Sequence, residues 1–100
     1  MPLMTANLLE NLTQAIALAP ANAYLYYNRG NAYVQCLDHQ QAIVDYTKAI
    51  ELDANLAEAY YNRGLAHMAL KHSNEATADL SKAGELGLYA AYSLLKNQRK

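Results

Sequence analysis

The sequence predicts an all-α protein built as a stack of antiparallel helix pairs, and three observations carry that reading. Nineteen Ala and sixteen Leu stand against nine β-branched residues, a bias toward strong helix formers that excludes an all-β fold. Sliding the chain against itself by 34 residues aligns 23–56 with 57–90 and leaves 13 of those 34 positions identical. The identities are scattered, as packing positions are, with small residues recurring in one register: Gly30 with Gly64, Ala42 with Ala76, Ala49 with Ala83. With 53% apolar and 17% charged residues, the chain is too hydrophobic for disorder, and its 100 residues suit one domain.

Residues 5–19 form the first expected helix. Its Leu8, Leu12, Ala15 and Ile16 lie one repeat length before Ala42, Tyr46, Ala49 and Ile50, so it reads as the second helix of a pair whose first is missing. Residues 23–36 form the next helix, ended by a turn at Leu37, Asp38 and His39, and 40–52 form its partner, closed by Asp53, Ala54 and Asn55. The second unit repeats this with helices at 57–70 and 74–86 around a turn at Lys71, His72 and Ser73. Residues 89–98 begin where a third unit would start but lack its glycine, and read as a capping helix.

Glycine inside a helix costs about 1 kcal/mol relative to alanine, so Gly30 and Gly64 imply a close approach of paired helices. Tyr26 and Tyr60, with Tyr46 and Leu80, are expected to fill the space beside them. Gly84 and Gly87 are expected to fray the last of the paired helices or end it early, leaving the C-terminal half less stable.

The recurring residues read Tyr26-x-x-Arg29-Gly30-x-x-Tyr33 with Ala42-x-x-x-Tyr46, then Tyr60-x-x-Arg63-Gly64-x-x-His67 with Ala76-x-x-x-Leu80. This pattern resembles the tetratricopeptide repeat (TPR) family, whose helix–turn–helix unit carries W-x-x-L-G-x-x-Y, A-x-x-x-F and a closing proline. The resemblance covers residues 5–98. It implies a right-handed superhelical stack forming a single domain over 1–100: a half-repeat helix at 5–19, repeats at 23–56 and 57–90, and a cap at 89–98. Leu37 and Lys71 replace the turn glycine of the family, and Ala54 and Leu88 replace its closing proline, which implies looser turns.

Several function classes are excluded by what the chain lacks. Formal net charge is −1, and apart from a short basic end (Lys96, Arg99, Lys100) there is no basic stripe for a nucleic acid. The opening segment has no basic residue, and Glu10, Asn11 and Gln14 interrupt its apolar run, so no signal peptide is expected. A membrane span needs about 18 apolar residues in a row, and none exists, so no membrane partner is expected. Cys36 has no second cysteine to pair with, which fits a reducing, cytoplasmic setting, and it reads as a buried, inert thiol. No two of His39, His67 and His72 share a helix face at i, i+4, so no metal site is expected. Without a nucleophile–base arrangement, phosphate loop or paired carboxylates, the sequence points to no catalytic residue, no cofactor and no enzyme. Arg29 with Asp45 and Arg63 with Asp79 recur in phase and are expected to form ion pairs within or between repeats, with a register role rather than a binding one, since an exposed pair contributes only about 0–1 kcal/mol.

A second stripe on the first helix of each repeat carries the positive signal. Tyr27, Asn28, Asn31, Val34 and Gln35 lie off the packing face, with Tyr61, Asn62, Leu65, Met68 and Ala69 as counterparts. This stripe has no evident internal task, and the family resemblance sets the two faces side by side along a concave groove. Tyrosine offers apolar area with a polar tip, and asparagine offers both a donor and an acceptor to a peptide backbone. Tyr27, Asn28, Asn31, Tyr61, Asn62 and Leu65 are therefore the candidate peptide-binding residues. A competing reading has Asn28 and Asn62 tie one repeat to the next and leaves Tyr27 and Tyr61 as ordinary half-buried solenoid residues.

Family members that clamp chaperone C-terminal carboxylates add lysine and arginine to groove asparagines. Here Tyr27 stands where the first-repeat lysine would be, with Glu58 nearby, so the resemblance implies weak retention of acidic tails. The sequence thus supports a non-enzymatic adaptor that binds a peptide or helix of another protein. A self-associating scaffold is the alternative, because Leu8, Leu9, Leu12 and Ile16 form an apolar stripe with no expected partner helix, and Leu3 and Met4 precede it.

Overall fold

The computed structural model describes residues 3–98, which form six helices: α1 (Leu3–Leu18), α2 (Ala23–Gln35), α3 (His39–Leu52), α4 (Ala57–Ala69), α5 (Ser73–Glu85) and α6 (Ala90–Gln98). Arg99 and Lys100 of the basic end lie outside the described residues. Among those described there is no strand, and no helix is long and apolar enough to cross a membrane. Each helix packs on the next along the chain, giving an all-α helical-repeat solenoid with extents of 42 × 27 × 18 Å.

Small residues set the distance between paired helices. A Cβ on Gly30 would lie 2.7 Å from Cε1 of Tyr46, and one on Gly64 would lie 3.1 Å from Cγ of Leu80. Ala42, Ala49, Ala76 and Ala83 are fully buried at the same seams. Tyr26 packs with Ala23, Ala49, Leu56 and Ala59, while Leu80, Ala83, Ala91 and Leu95 form a second cluster toward the C-terminus. The hydroxyls of Tyr26 and Tyr60 donate to the carbonyls of Pro20 (2.9 Å) and Ala54 (3.1 Å), six residues upstream in both repeats. A phenylalanine would fill the same space but could not close this bond.

The ion pairs form within each repeat, with more burial than a surface bridge has. Arg29 meets Asp45 through two bonds of 2.8 Å, and Arg63 meets Asp79 at 2.8 and 2.7 Å, with both carboxylates buried. The remaining guanidinium nitrogen of each arginine donates to a threonine of the preceding second-type helix, Thr13 at 3.3 Å and Thr47 at 3.2 Å. Each arginine thus clamps its own helix pair and also ties it to the previous one. Its bonded carboxylate raises the arginine pKa above the usual value in both repeats. Such charge-assisted fork contacts on a buried partner are not ordinary surface bridges.

The turns are also tighter than the missing glycines imply. Leu37 and Lys71 adopt left-handed backbone with φ of 62° and 63°. Asp38 N–H then reaches Tyr33 O and Leu37 N–H reaches Val34 O, at 2.9 Å each. His72 N–H to His67 O (2.8 Å) and Lys71 N–H to Met68 O (3.0 Å) repeat the pattern, so both turns are Schellman caps built on non-glycine residues. Packing of α2 on α3 and of α4 on α5 outweighs the roughly 1–2 kcal/mol that left-handed backbone costs a side-chain-bearing residue. The end of α5 does not fray: Gly87, at φ 108°, supports the same cap, with Leu88 N–H on Ala83 O at 3.0 Å. Gly84 is buried, and Tyr92 of α6 packs over it.

α1 lacks a partner on one side. Leu9, Leu12 and Ile16 are half-buried against the stack, whereas Leu3, Met4, Leu8 and Leu18 are exposed. Cys36, expected to be buried, is half-buried at the C-cap of α2, because the chain leaves the packed seam there.

Candidate functional site

A cleft of about 240 Å³ opens between the first-type helices of the two repeats, lined by Asn31, Val34, His39, Tyr46, Asn62, Leu65 and Ala66. α2 supplies Asn31 and Val34 one turn apart, α4 supplies Asn62, Leu65 and Ala66, and α3 closes the base with His39 and Tyr46. The glycine at position 30 draws the Tyr46 ring against α2, so that its hydroxyl emerges beside Asn31.

A polar network holds the wall in place. Tyr46 Oη donates to Asn31 Oδ1, and the Asn62 amide donates to both Asn31 Oδ1 (3.0 Å) and Tyr27 Oη (3.1 Å). Burial pushes the Tyr46 phenol well above its usual pKa, which keeps it a neutral donor. With Asn31 Oδ1 and Asn62 Nδ2 engaged, the Asn31 amide N–H groups and Asn62 Oδ1 have no hydrogen-bond partner among the described residues, leaving one donor group and one acceptor on two cleft-lining residues. Nδ1 of His39 is buried at the same cleft without a hydrogen-bond partner among the described residues. No Lys, Arg, Asp or Glu lines this cleft.

Of the six candidate residues, the structure brings Asn31, Asn62 and Leu65 to the cleft wall. Tyr27 is turned inward, packing on the core cluster and lying 5.9 Å from the Tyr46 ring, and Tyr61 packs on the C-terminal cluster. Asn28 is exposed and away from the cleft. The stripe therefore does carry internal work: a bond spanning 31 residues joins α2 to α4 through Asn31 and Asn62. Sequence reasoning missed His39, and it assigned Tyr46 to packing alone. The available signal was the hydroxyl of Tyr46, standing where the resembled pattern has phenylalanine.

The histidines also depart from expectation. His67 and His72 lie across the end of a helix rather than along one, and the Schellman cap folds them together, with Nδ1 atoms 3.1 Å apart and Glu75 adjacent.

Two family models match the chain: one described as TPR repeat over residues 38–71, spanning α3 and α4, and one described as Tetratricopeptide repeat over 57–86, spanning α4 and α5. The second TPR of Spaghetti (RPAP3) bound to the HSP90 peptide SRMEEVD is 37% identical, covering 78% of this chain and 72% of that one, with a TM-score of 0.77. The second TPR domain of human RPAP3 in complex with the HSP70 peptide SGPTIEEVD is 34% identical over 92% and 78% of the two chains, at a TM-score of 0.85. The Arabidopsis OM64 TPR domain is 35% identical over 90% and 78%, at a TM-score of 0.82. Curated protein sequences contain no match.

Proposed function

We propose that this chain, which belongs to the tetratricopeptide repeat family, is a non-enzymatic interaction module that holds a segment of a partner protein in the cleft between α2 and α4, on its concave face. The observation that carries this reading is the pairing of one free donor group and one free acceptor, on Asn31 and Asn62, between the apolar walls of Val34 and Leu65. A peptide backbone offers the complementary C=O and N–H, and its side chains would lie on Val34, Leu65 and Ala66. Tyr27 braces the wall from behind, its hydroxyl accepting from the Asn62 amide. A cytoplasmic setting, suited to the lone Cys36, belongs to the same proposal.

The two RPAP3 domains named above hold peptides ending in EEVD. With no lysine or arginine among its lining residues, this cleft favours an uncharged, apolar segment over an acidic tail. Fluorescence anisotropy tests this with labelled SRMEEVD, its amide counterpart SRMQQVN, and peptides selected from a random display library. The selected peptides should be poor in Asp and Glu, SRMEEVD should bind no better than SRMQQVN, and Leu65→Lys should weaken the selected peptides at least tenfold. Peptides that bind Leu65→Lys as tightly as the natural chain would place the site elsewhere.

A second reading, self-association through α1, rests on the exposure of Leu3 (76%), Met4 (85%) and Leu18 (88%) on one helix. Light scattering after size exclusion decides it. A concentration-independent monomer removes this reading and leaves the cleft untouched.

A further inference from the structure

The cap that ends α4 creates a side-chain arrangement with no counterpart in the first repeat. A Schellman turn places the third residue before the helix end beside the second residue after it, a contact usually made by apolar side chains. In the first repeat these residues are Tyr33 and Asp38, and in the second they are His67 and His72. Asp38 caps α3 by accepting from Gln41 N–H at 3.2 Å, whereas His72, at the equivalent N-cap of α5, makes no side-chain capping bond. Its ring is turned toward His67 instead, the two centroids 5.3 Å apart.

The third member is Glu75 in the first turn of α5, with Oε2 4.0 Å from His72 Nδ1. One ligand atom from each of His67, His72 and Glu75 lies within 4.8 Å of the others. Zinc bonds of about 2.0–2.2 Å to nitrogen or oxygen put neighbouring tetrahedral ligands roughly 3.3–3.5 Å apart. The Nδ1 pair at 3.1 Å is already near that spacing, and the exposed Glu75 side chain reaches it by a rotamer change.

Behind His67, Oδ2 of Asp79 lies 3.9 Å from Nε2, itself held by the fork of Arg63. At 3.9 Å this carboxylate makes no hydrogen bond to Nε2, but its negative charge lies on that side of the ring while Nδ1 faces His72.

We infer that His67, His72 and Glu75 form a binding site for a divalent transition metal of the imidazole-preferring class, zinc foremost, clasping the turn between α4 and α5. Three protein ligands leave a fourth position for water or for a side chain of a bound partner. The site is separate from the cleft and stands or falls independently of it.

Titration calorimetry of the full chain with zinc chloride, after chelator treatment, tests the inference, supported by the visible absorption of added cobalt(II). One ion should bind per chain, and His67→Gln, His72→Asn and Glu75→Gln should each weaken binding at least tenfold and abolish the tetrahedral cobalt spectrum. Glu10→Gln should change neither, since Glu10 is exposed on α1, outside the second repeat. Circular dichroism of each variant separates loss of ligand from loss of fold. An absence of saturable binding in the natural chain would overturn the site, as would binding that survives in a folded His67→Gln/His72→Asn double variant, leaving an imidazole pair that is only structural.

Discussion

Gly30→Ala, Gly64→Ala and Gly84→Ala add the same methyl to three packed helices, and their order of effect follows from how freely each neighbour moves. The shortest nominal approach is at Gly84, where the Cβ would lie 2.5 Å from Cζ of Tyr92. Tyr92 is 45% exposed, so its ring swings aside and the helix-propensity gain of alanine, about 1 kcal/mol, is largely retained. At Gly64 the neighbours are Leu80 Cγ at 3.1 Å and Asp79 Cβ at 3.3 Å, so a shift of a few tenths of an ångström offsets the gain and the variant stays within about 1 kcal/mol of the natural chain. Gly30 is the severe case. Its Cβ would lie 2.7 and 2.9 Å from Tyr46, whose ring is 1% exposed and whose hydroxyl is held by Asn31.

Overpacking against such a ring costs about 1–3 kcal/mol, and subtracting about 1 kcal/mol of propensity leaves a loss of up to about 2 kcal/mol. For a domain of this size, each kcal/mol moves the melting temperature by about 4–8 °C, well within reach of far-ultraviolet circular dichroism. Urea titration of the same variants should give the order Gly84→Ala, Gly64→Ala, Gly30→Ala from most to least stable. If Gly84→Ala were the weakest of the three, or Gly30→Ala matched the natural chain, the argument from the pinned Tyr46 ring would be wrong.

Leu37→Gly and Lys71→Gly should each raise stability by about 0.5 kcal/mol in urea titrations, since glycine relieves the left-handed cap at some entropic cost; a loss at both positions would contradict the cap. Arg29→Met should cost about 3 kcal/mol by stranding the buried Asp45 carboxylate, and Arg29→Met/Asp45→Leu should recover much of it; a single-variant loss below about 0.5 kcal/mol would reduce the pair to a surface bridge. Asn62→Ala should cost about 1–2 kcal/mol in thermal unfolding by removing the donor that joins α2 to α4, and a neutral result would mean that the network does not brace the cleft.

The helices are legible because the self-match states every signal twice: small seam residues, a tyrosine that reaches back to a carbonyl, and an arginine spaced 16 residues from its aspartate. The turn geometry is not legible, because Leu37 and Lys71 are poor candidates for left-handed backbone and only the pairing of helices on either side enforces it. Asn31, Asn62 and Leu65 are accessible to pattern reasoning because they lie on one helical stripe. His39 and Tyr46 are not, since they reach the cleft from another helix at a distance set by Gly30. The meeting of His67 and His72 escapes an i, i+4 rule because the contact crosses a helix end, where the chain reverses within five residues.

The differences between the two repeats show where the shared scaffold has been put to separate uses. Tyr26, Arg29, Gly30, Ala42, Asp45 and Ala49 have identical counterparts one repeat later, and the tyrosine–carbonyl bonds, the arginine–aspartate forks and the buried alanines recur in both copies. Asn31 faces Leu65 as its counterpart, and Tyr46 faces Leu80. With leucine at position 80, the second repeat cannot offer the hydroxyl that orders Asn31, and with leucine at 65 it has no asparagine there to be ordered. Each repeat thus gives the cleft an asparagine and an apolar side chain, Asn31 with Val34 and Asn62 with Leu65, but only the first adds a buried hydroxyl. Tyr33 and Asp38 against His67 and His72 divide the turns in the same way, leaving a capped helix start in one repeat and a converging imidazole pair in the other. A common backbone with repeated clamps tolerates these exchanges: Asn31/Leu65 and the turn residues lie outside the seams, and at the Tyr46/Leu80 seam position both side chains fill the space beside a glycine.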